Sequence, residues 1–118
     1  PEPAESLLDT QMLTDFLAAV GKPTLISSVT LFEKLMPEYL AVLESNLIAR
    51  DQEGIVSEAH KIKGAAGSIG LKRLRELAQK AQSPDLPAWW DNIDDWVEKL
   101  KREYPANVEH LYEWIEQQ

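Results

Sequence analysis

The stretch Ile55-Val56-Ser57-Glu58-Ala59-His60-Lys61-Ile62-Lys63-Gly64-Ala65-Ala66-Gly67-Ser68-Ile69-Gly70 sets the fold class of this chain. Its apolar residues Ile55, Ala59, Ile62, Ala66 and Ile69 recur at intervals of 4, 3, 4 and 3. That is the period of a helix with one buried stripe. At roughly 100° per residue, His60 falls roughly 140° from the centre of the stripe, on the solvent side. Val56, Lys63, Gly64 and Gly67 share its face. Each glycine inside a helix costs roughly 1 kcal/mol relative to alanine. On an exposed face no packing compensates. The economical explanation is that something large approaches the imidazole, and a docking protein needs such clearance on a convex helix where a small ligand does not.

The helical period extends outward in both directions, and no alternating β-branched run interrupts it. Asp9 caps a helix over about 10–20, with Leu13, Phe16, Leu17 and Val20 on one face and Gly21 as its stop. Pro23 suits the first turn of a second helix, whose apolar face is Leu25, Val29, Phe32, Leu35 and Met36. Pro37 is expected to kink or restart it before the pattern resumes through Leu40, Leu43, Leu47 and Ile48. Asp51 caps a helix over 52–67. Gly70 marks a turn, and 71–82 forms the returning helix. Ser83-Pro84-Asp85-Leu86-Pro87 reads as a loop. A helix over 88–103 follows, and Pro105 is expected to separate it from a last helix bearing Val108, Leu111, Tyr112 and Ile115. Short connections favour antiparallel neighbours. The fold expected is therefore all-α, a four-helix up-and-down antiparallel bundle with additional N-terminal helices. The whole chain, 1–118, reads as one domain, with residues 1–8 as the polar, acidic end of a linker from a longer protein.

Composition narrows the function. No run approaches 18 consecutive apolar residues, so no membrane contact by this domain is expected. There is no cysteine, which removes disulfides and thiolate metal sites and fits a reducing compartment. The net charge of -8 makes nucleic acid a poor partner. The charge is uneven, however. Lys61, Lys63, Lys72, Arg73, Arg75 and Lys80 crowd residues 61–80 against the single acid Glu76. Such a patch favours an acidic partner surface or a phosphoryl group.

His60 is thus an exposed imidazole on a basic hairpin. Histidine titrates near cellular pH, so a neutral, nucleophilic ring is available there. Lys63, one turn along, can set an ammonium beside an anion held on the ring. If the chain reverses near Gly70, Gln79 and Gln82 return alongside His60. Either amide can accept a hydrogen bond from Nδ1–H and leave Nε2 as nucleophile, and Gln82 is preferred. A solvated surface histidine beside a solvated glutamine is the plainer alternative.

The run from Ala59 to Gly70 resembles the signature of histidine-containing phosphotransfer (HPt) domains: a histidine, two residues, Lys-Gly, then a small glycine-containing stretch. The segments 32–46 and 82–89 are similar to the HPt domains of anoxic redox-control sensor kinases. The resemblance implies that His60 is phosphorylated, that Lys63 neutralises the phosphoryl oxygens, and that Gly64, Gly67, Val56 and Ser68 form the approach for a receiver domain. It implies in-line transfer from a receiver aspartate to His60 and on to a response-regulator aspartate, reversibly. No intrinsic cofactor is expected, and Mg²⁺ comes with the partner's acidic pocket. The domain would be a relay and not an autonomous enzyme, on the cytoplasmic side of an inner-membrane-anchored kinase.

Other signals carry less. Gly21-Lys22-Pro23-Thr24 lacks the glycine spacing of a nucleotide loop. Asp91, Asp94, Asp95 and Glu98 read as a solvated helix face rather than a cation site. A metal or haem bundle using His60 and His110 needs inward-facing ligands, whereas His60 points outward. A non-catalytic interaction or dimerisation bundle remains the main alternative, and a phosphohistidine phosphatase would differ in the fate of the phosphoryl group.

Overall fold

The structure is a computed structural model and describes residues 7–118. Its helices follow from local chemistry. Asp9 accepts a hydrogen bond from the Met12 amide at 3.1 Å and starts α1, Thr10–Val20. Gly21, at φ +85°, ends α1 and opens α2, Lys22–Ile48, with Pro23 in the first turn. Asp51 caps α3, Gln52–Ser68, by accepting from the Gly54 amide at 3.1 Å. Gly70, at φ +71°, reverses the chain into α4, Lys72–Ala81. A Cβ at Gly70 would stand 2.6 Å from Leu13 Cγ, so glycine serves both the backbone angle and the seating of α1. After the 83–88 connection, α5 runs as Trp89–Glu116.

Helices α2 to α5 close a ring in which α2 and α4 each pack against α3 and α5, while α1 lies on α2. Side-chain pairs fix the directions. Tyr112 meets Thr30, Lys101 meets Glu44 and Arg50 meets Asp94, so α2 and α5 are antiparallel. Arg73 meets Glu103 across the α4–α5 pair. The core is Leu25, Met36 and Leu43 of α2, Ile55 and Ile62 of α3, Leu74 and Leu77 of α4, and Ile93, Leu100 and Leu111 of α5. Burying each such side chain contributes about 1.5–3 kcal/mol.

The expected all-helical bundle is observed, with α1 as the additional N-terminal helix among the described residues. Three expectations are corrected. Pro37 neither kinks α2 into two elements nor restarts it, and Pro105 lies within an unbroken α5. Both prolines face solvent, as do Glu33 and Lys101, whose carbonyls lose their amide partners. Water can satisfy those carbonyls, so the helices continue. The third concerns the linker. Residues 1–6 lie outside the described residues, but Leu8 is 1% exposed and belongs to the core. Two adjacent leucines beside a polar, acidic segment carry no period that would reveal this.

Candidate functional site

The stripe of α3 faces the core as its spacing dictates: Ile55, Ala59, Ile62 and Ala66 are fully buried. His60 is exposed on the opposite side. Its Nδ1 lies 3.0 Å from Gln82 Oε1, just past the end of α4. An amide oxygen accepts, so in this orientation of the Gln82 amide the ring proton sits on Nδ1 and the Nε2 lone pair is free. The α3–α4 hairpin thus brings together His60 and Gln82. Gln79 does not reach the ring but accepts from Gln82 Nε2 at 3.4 Å.

The two glycines differ. A Cβ added at Gly64, one turn beyond His60, would meet nothing within 4 Å. Nothing inside the molecule accounts for a glycine there. At Gly67 the same atom would meet Arg75 Cδ at 3.2 Å, so its smallness admits the arginine stem from α4. Val56 is half-buried and packs against the core. Ser68 is exposed, and its hydroxyl donates to the Ala65 carbonyl at 2.8 Å. With Ser28, Leu31, Phe32, Leu35 and Ala65 it lines a shallow groove between α2 and α3.

The basic patch is partly engaged from within. Lys61 pairs with the buried Glu58 at 3.1 Å, Arg73 holds Glu103 through two hydrogen bonds, and Arg75 approaches Asp9 at 3.9 Å. The Arg73 guanidinium lowers the Glu103 carboxyl below its ordinary value, against the opposing effect of burial. Lys63, half-buried on the His60 face, makes no ion pair among the described residues. The acidic face of α5 is engaged too. Asp94 pairs with Arg50, Asp95 with Lys99 and Glu98 with Arg102. Trp90, 42% exposed, stands edge-on to the buried Trp89 and carries the Arg50 guanidinium 5.8 Å from its ring centre. Among the described residues no group of three or more histidines and carboxylates is placed to hold a metal, and no helix is long and apolar enough to cross a membrane.

Sequence reasoning missed Ser83, whose hydroxyl accepts from Gln79 Nε2 at 3.2 Å and donates to the Gln79 carbonyl at 2.7 Å. The signal was present as Gln79, Gln82 and Ser83, three polar residues at intervals of 3 and 1 where α4 ends.

Known proteins match this arrangement. The Hpt domain family matches residues 27–116. The chain is 53% identical over 112 residues to the aerobic respiration control sensor protein ArcB of Escherichia coli K12, and equally to that of Shigella flexneri. Those matches cover 95% of this chain but 14% of the relatives, so the chain spans a small part of their length. Among solved structures, the histidine-containing phosphotransfer domain of ArcB from Escherichia coli superposes with a TM-score of 0.95 at 52% identity, covering 97% of both chains. A solution structure of that domain gives 0.88 at 53% identity, over 95% of this chain and 90% of the other. With an outward imidazole on a bundle that matches over nearly its whole length, this chain belongs to the Hpt family of phosphotransfer domains in two-component signalling.

Proposed function

We propose that His60 is the phosphoryl carrier of a relay, taking the group from a receiver aspartate of its parent hybrid sensor kinase and passing it to the aspartate of an ArcA-like response regulator. The observation that carries this is the His60 Nδ1–Gln82 Oε1 contact at 3.0 Å, which presents Nε2 outward beside an uncrowded Gly64.

In the forward step Nε2 attacks phosphorus in line with the aspartyl oxygen. The N–P bond forms as the P–O bond breaks, and the carboxylate leaves. No proton need move. Nδ1–H remains, the ring becomes cationic, and Gln82 Oε1 accepts a strengthened hydrogen bond from it. Lys63 faces the oxygens of the transferred group. Reversal on a second receiver uses the same groups. The Mg²⁺ belongs to the receiver's acidic pocket, which the cations near His60 attract. The domain is a relay rather than a self-contained enzyme, working on the cytoplasmic side of a kinase anchored in the inner membrane.

The test is a transfer assay. A radiolabelled phospho-receiver from an ArcB-like system is mixed with this domain and Mg²⁺. Label that moves to the wild type as an acid-labile, base-stable species, and not to His60→Gln, is the expected result. Failure of label to move to any receiver tried, with the bundle intact by circular dichroism, would leave a non-catalytic interaction module.

A further inference from the structure

A carboxamide is nearly symmetric in shape and opposite at its two ends, since the oxygen accepts and the NH₂ donates. Gln82 can therefore hold the His60 ring in either of two ways. With Oε1 toward Nδ1, the ring carries its proton on Nδ1 and a lone pair on Nε2. With the amide turned over, the NH₂ would donate to Nδ1, the ring proton would sit on Nε2, and the outward lone pair would be lost. Nothing in the His60–Gln82 pair itself selects between these states.

The selection lies further along α4. Ser83 Oγ donates its single proton to the Gln79 backbone carbonyl at 2.7 Å. A carbonyl has no proton to give, so that bond has one possible direction. The Ser83 oxygen is then left to accept, and it accepts from Gln79 Nε2 at 3.2 Å. With its NH₂ drawn to Ser83, Gln79 turns Oε1 toward Gln82, where it accepts from Gln82 Nε2 at 3.4 Å. Gln82 is thereby left with Oε1 toward His60 Nδ1 at 3.0 Å. Spacings of three and four residues on a helix face let these side chains meet. Direction passes from a main-chain carbonyl, through a hydroxyl and two amides, to the imidazole.

We propose that Gln79 and Ser83 are positioning residues that act through Gln82 to set which nitrogen of His60 carries the proton. The consequence for transfer rests on the relay reading above, while the tautomer itself does not. Each link is one solvent-accessible hydrogen bond, so breaking one should change the tautomer ratio roughly three- to tenfold.

The experiment reads the two ring nitrogens of His60 by ¹⁵N NMR at about pH 8.5, where an ordinary imidazole is neutral. The signals are assigned with His60→Gln, and circular dichroism checks each variant's fold. Wild type is expected to hold the proton on Nδ1. Gln79→Glu presents only acceptors and keeps it there. Gln79→Lys presents only donors, turns Gln82 over and moves the proton toward Nε2. Ser83→Ala gives an intermediate ratio, and Ser83→Thr restores the wild-type one. An unchanged ratio in both Gln79→Lys and Ser83→Ala overturns the proposal, as does a shift of the same sign in Gln79→Glu and Gln79→Lys. Transfer rates measured in parallel separate the two readings. A tautomer that responds as described in a wild-type domain that accepts no label retains the positioning chain and removes the relay.

Discussion

Helices α2 and α5 are 27 and 28 residues long, and polar contacts stitch them along their length. Tyr112 donates to Glu33 at 2.6 Å, Lys101 pairs with Glu44 at 3.3 Å, and Arg50 grips Asp94 through two nitrogens. Burial raises the Tyr112 phenol above its ordinary value, and the hydrogen bond to Glu33 adds to the rise. The α3–α4 hairpin is shorter, at 17 and 10 residues, and carries glycines on the outward face of α3. At its open end the polar contacts gather on Gln82, which holds His60. One pair is tied together by polar side chains across its seam. The other leaves a surface open at some expense in intrinsic helix stability. Substitutions in the two regions should therefore separate stability from transfer.

The largest separation is expected at His60. His60→Gln should abolish phosphoryl acceptance while the urea midpoint stays near wild type, because the ring is exposed and meets a single polar partner. A midpoint that collapses would mean the hairpin depends on its functional residue. The mirror case is Leu100→Ala in α5. Leu100 is fully buried, so about 2–5 kcal/mol of stability should be lost in urea titration. Transfer per folded molecule should hardly change, and a proportionate fall in transfer would break the division.

The glycines give a finer test. Gly64→Ala meets no obstacle and should gain up to about 1 kcal/mol, while slowing transfer by crowding the approach. Gly67→Ala must displace the Arg75 stem at 3.2 Å, so its gain should be smaller or reversed. Equal gains at both positions would show that Arg75 yields freely. The smallest effect is at Arg73–Glu103. The folded-state carboxyl titrates below its ordinary value near 4.5, so its contribution is present above that value and is lost as pH falls through the folded one. Thermal unfolding between about pH 6 and pH 3 should show Glu103→Gln losing less stability than wild type on acidification, by less than about 1 kcal/mol.

What could be read from the sequence was what neighbours in the chain decide. The Asp9 and Asp51 caps, the turn at Gly70 and the buried face of α3 depend on residues within a turn or two, and α1, α3 and α4 begin and end within a residue of the expected places. The outward direction of His60 followed from the same period. Pro37 and Pro105 misled because a proline's effect depends on whether its orphaned carbonyl meets water, which only the assembled bundle determines. The partner of Gly67 is Arg75, on another helix, and no spacing within α3 could indicate it. Gln82 could be placed near His60 from the hairpin, but the direction of its amide depends on Ser83, which the sequence leaves as one more loop residue.

The brevity of α4 has a consequence for motion. Ten residues lie below the roughly 12–15 at which an isolated helix persists in water. Helix α4 therefore stays wound because α3 and α5 hold it, and its last turn lies next to the side chains that orient His60. Transient detachment of that turn would release the imidazole to spin while the rest of the bundle stayed folded. Amide hydrogen exchange at residues 78–82 then becomes a clock for the site, counting the openings in which the nucleophile loses its aim.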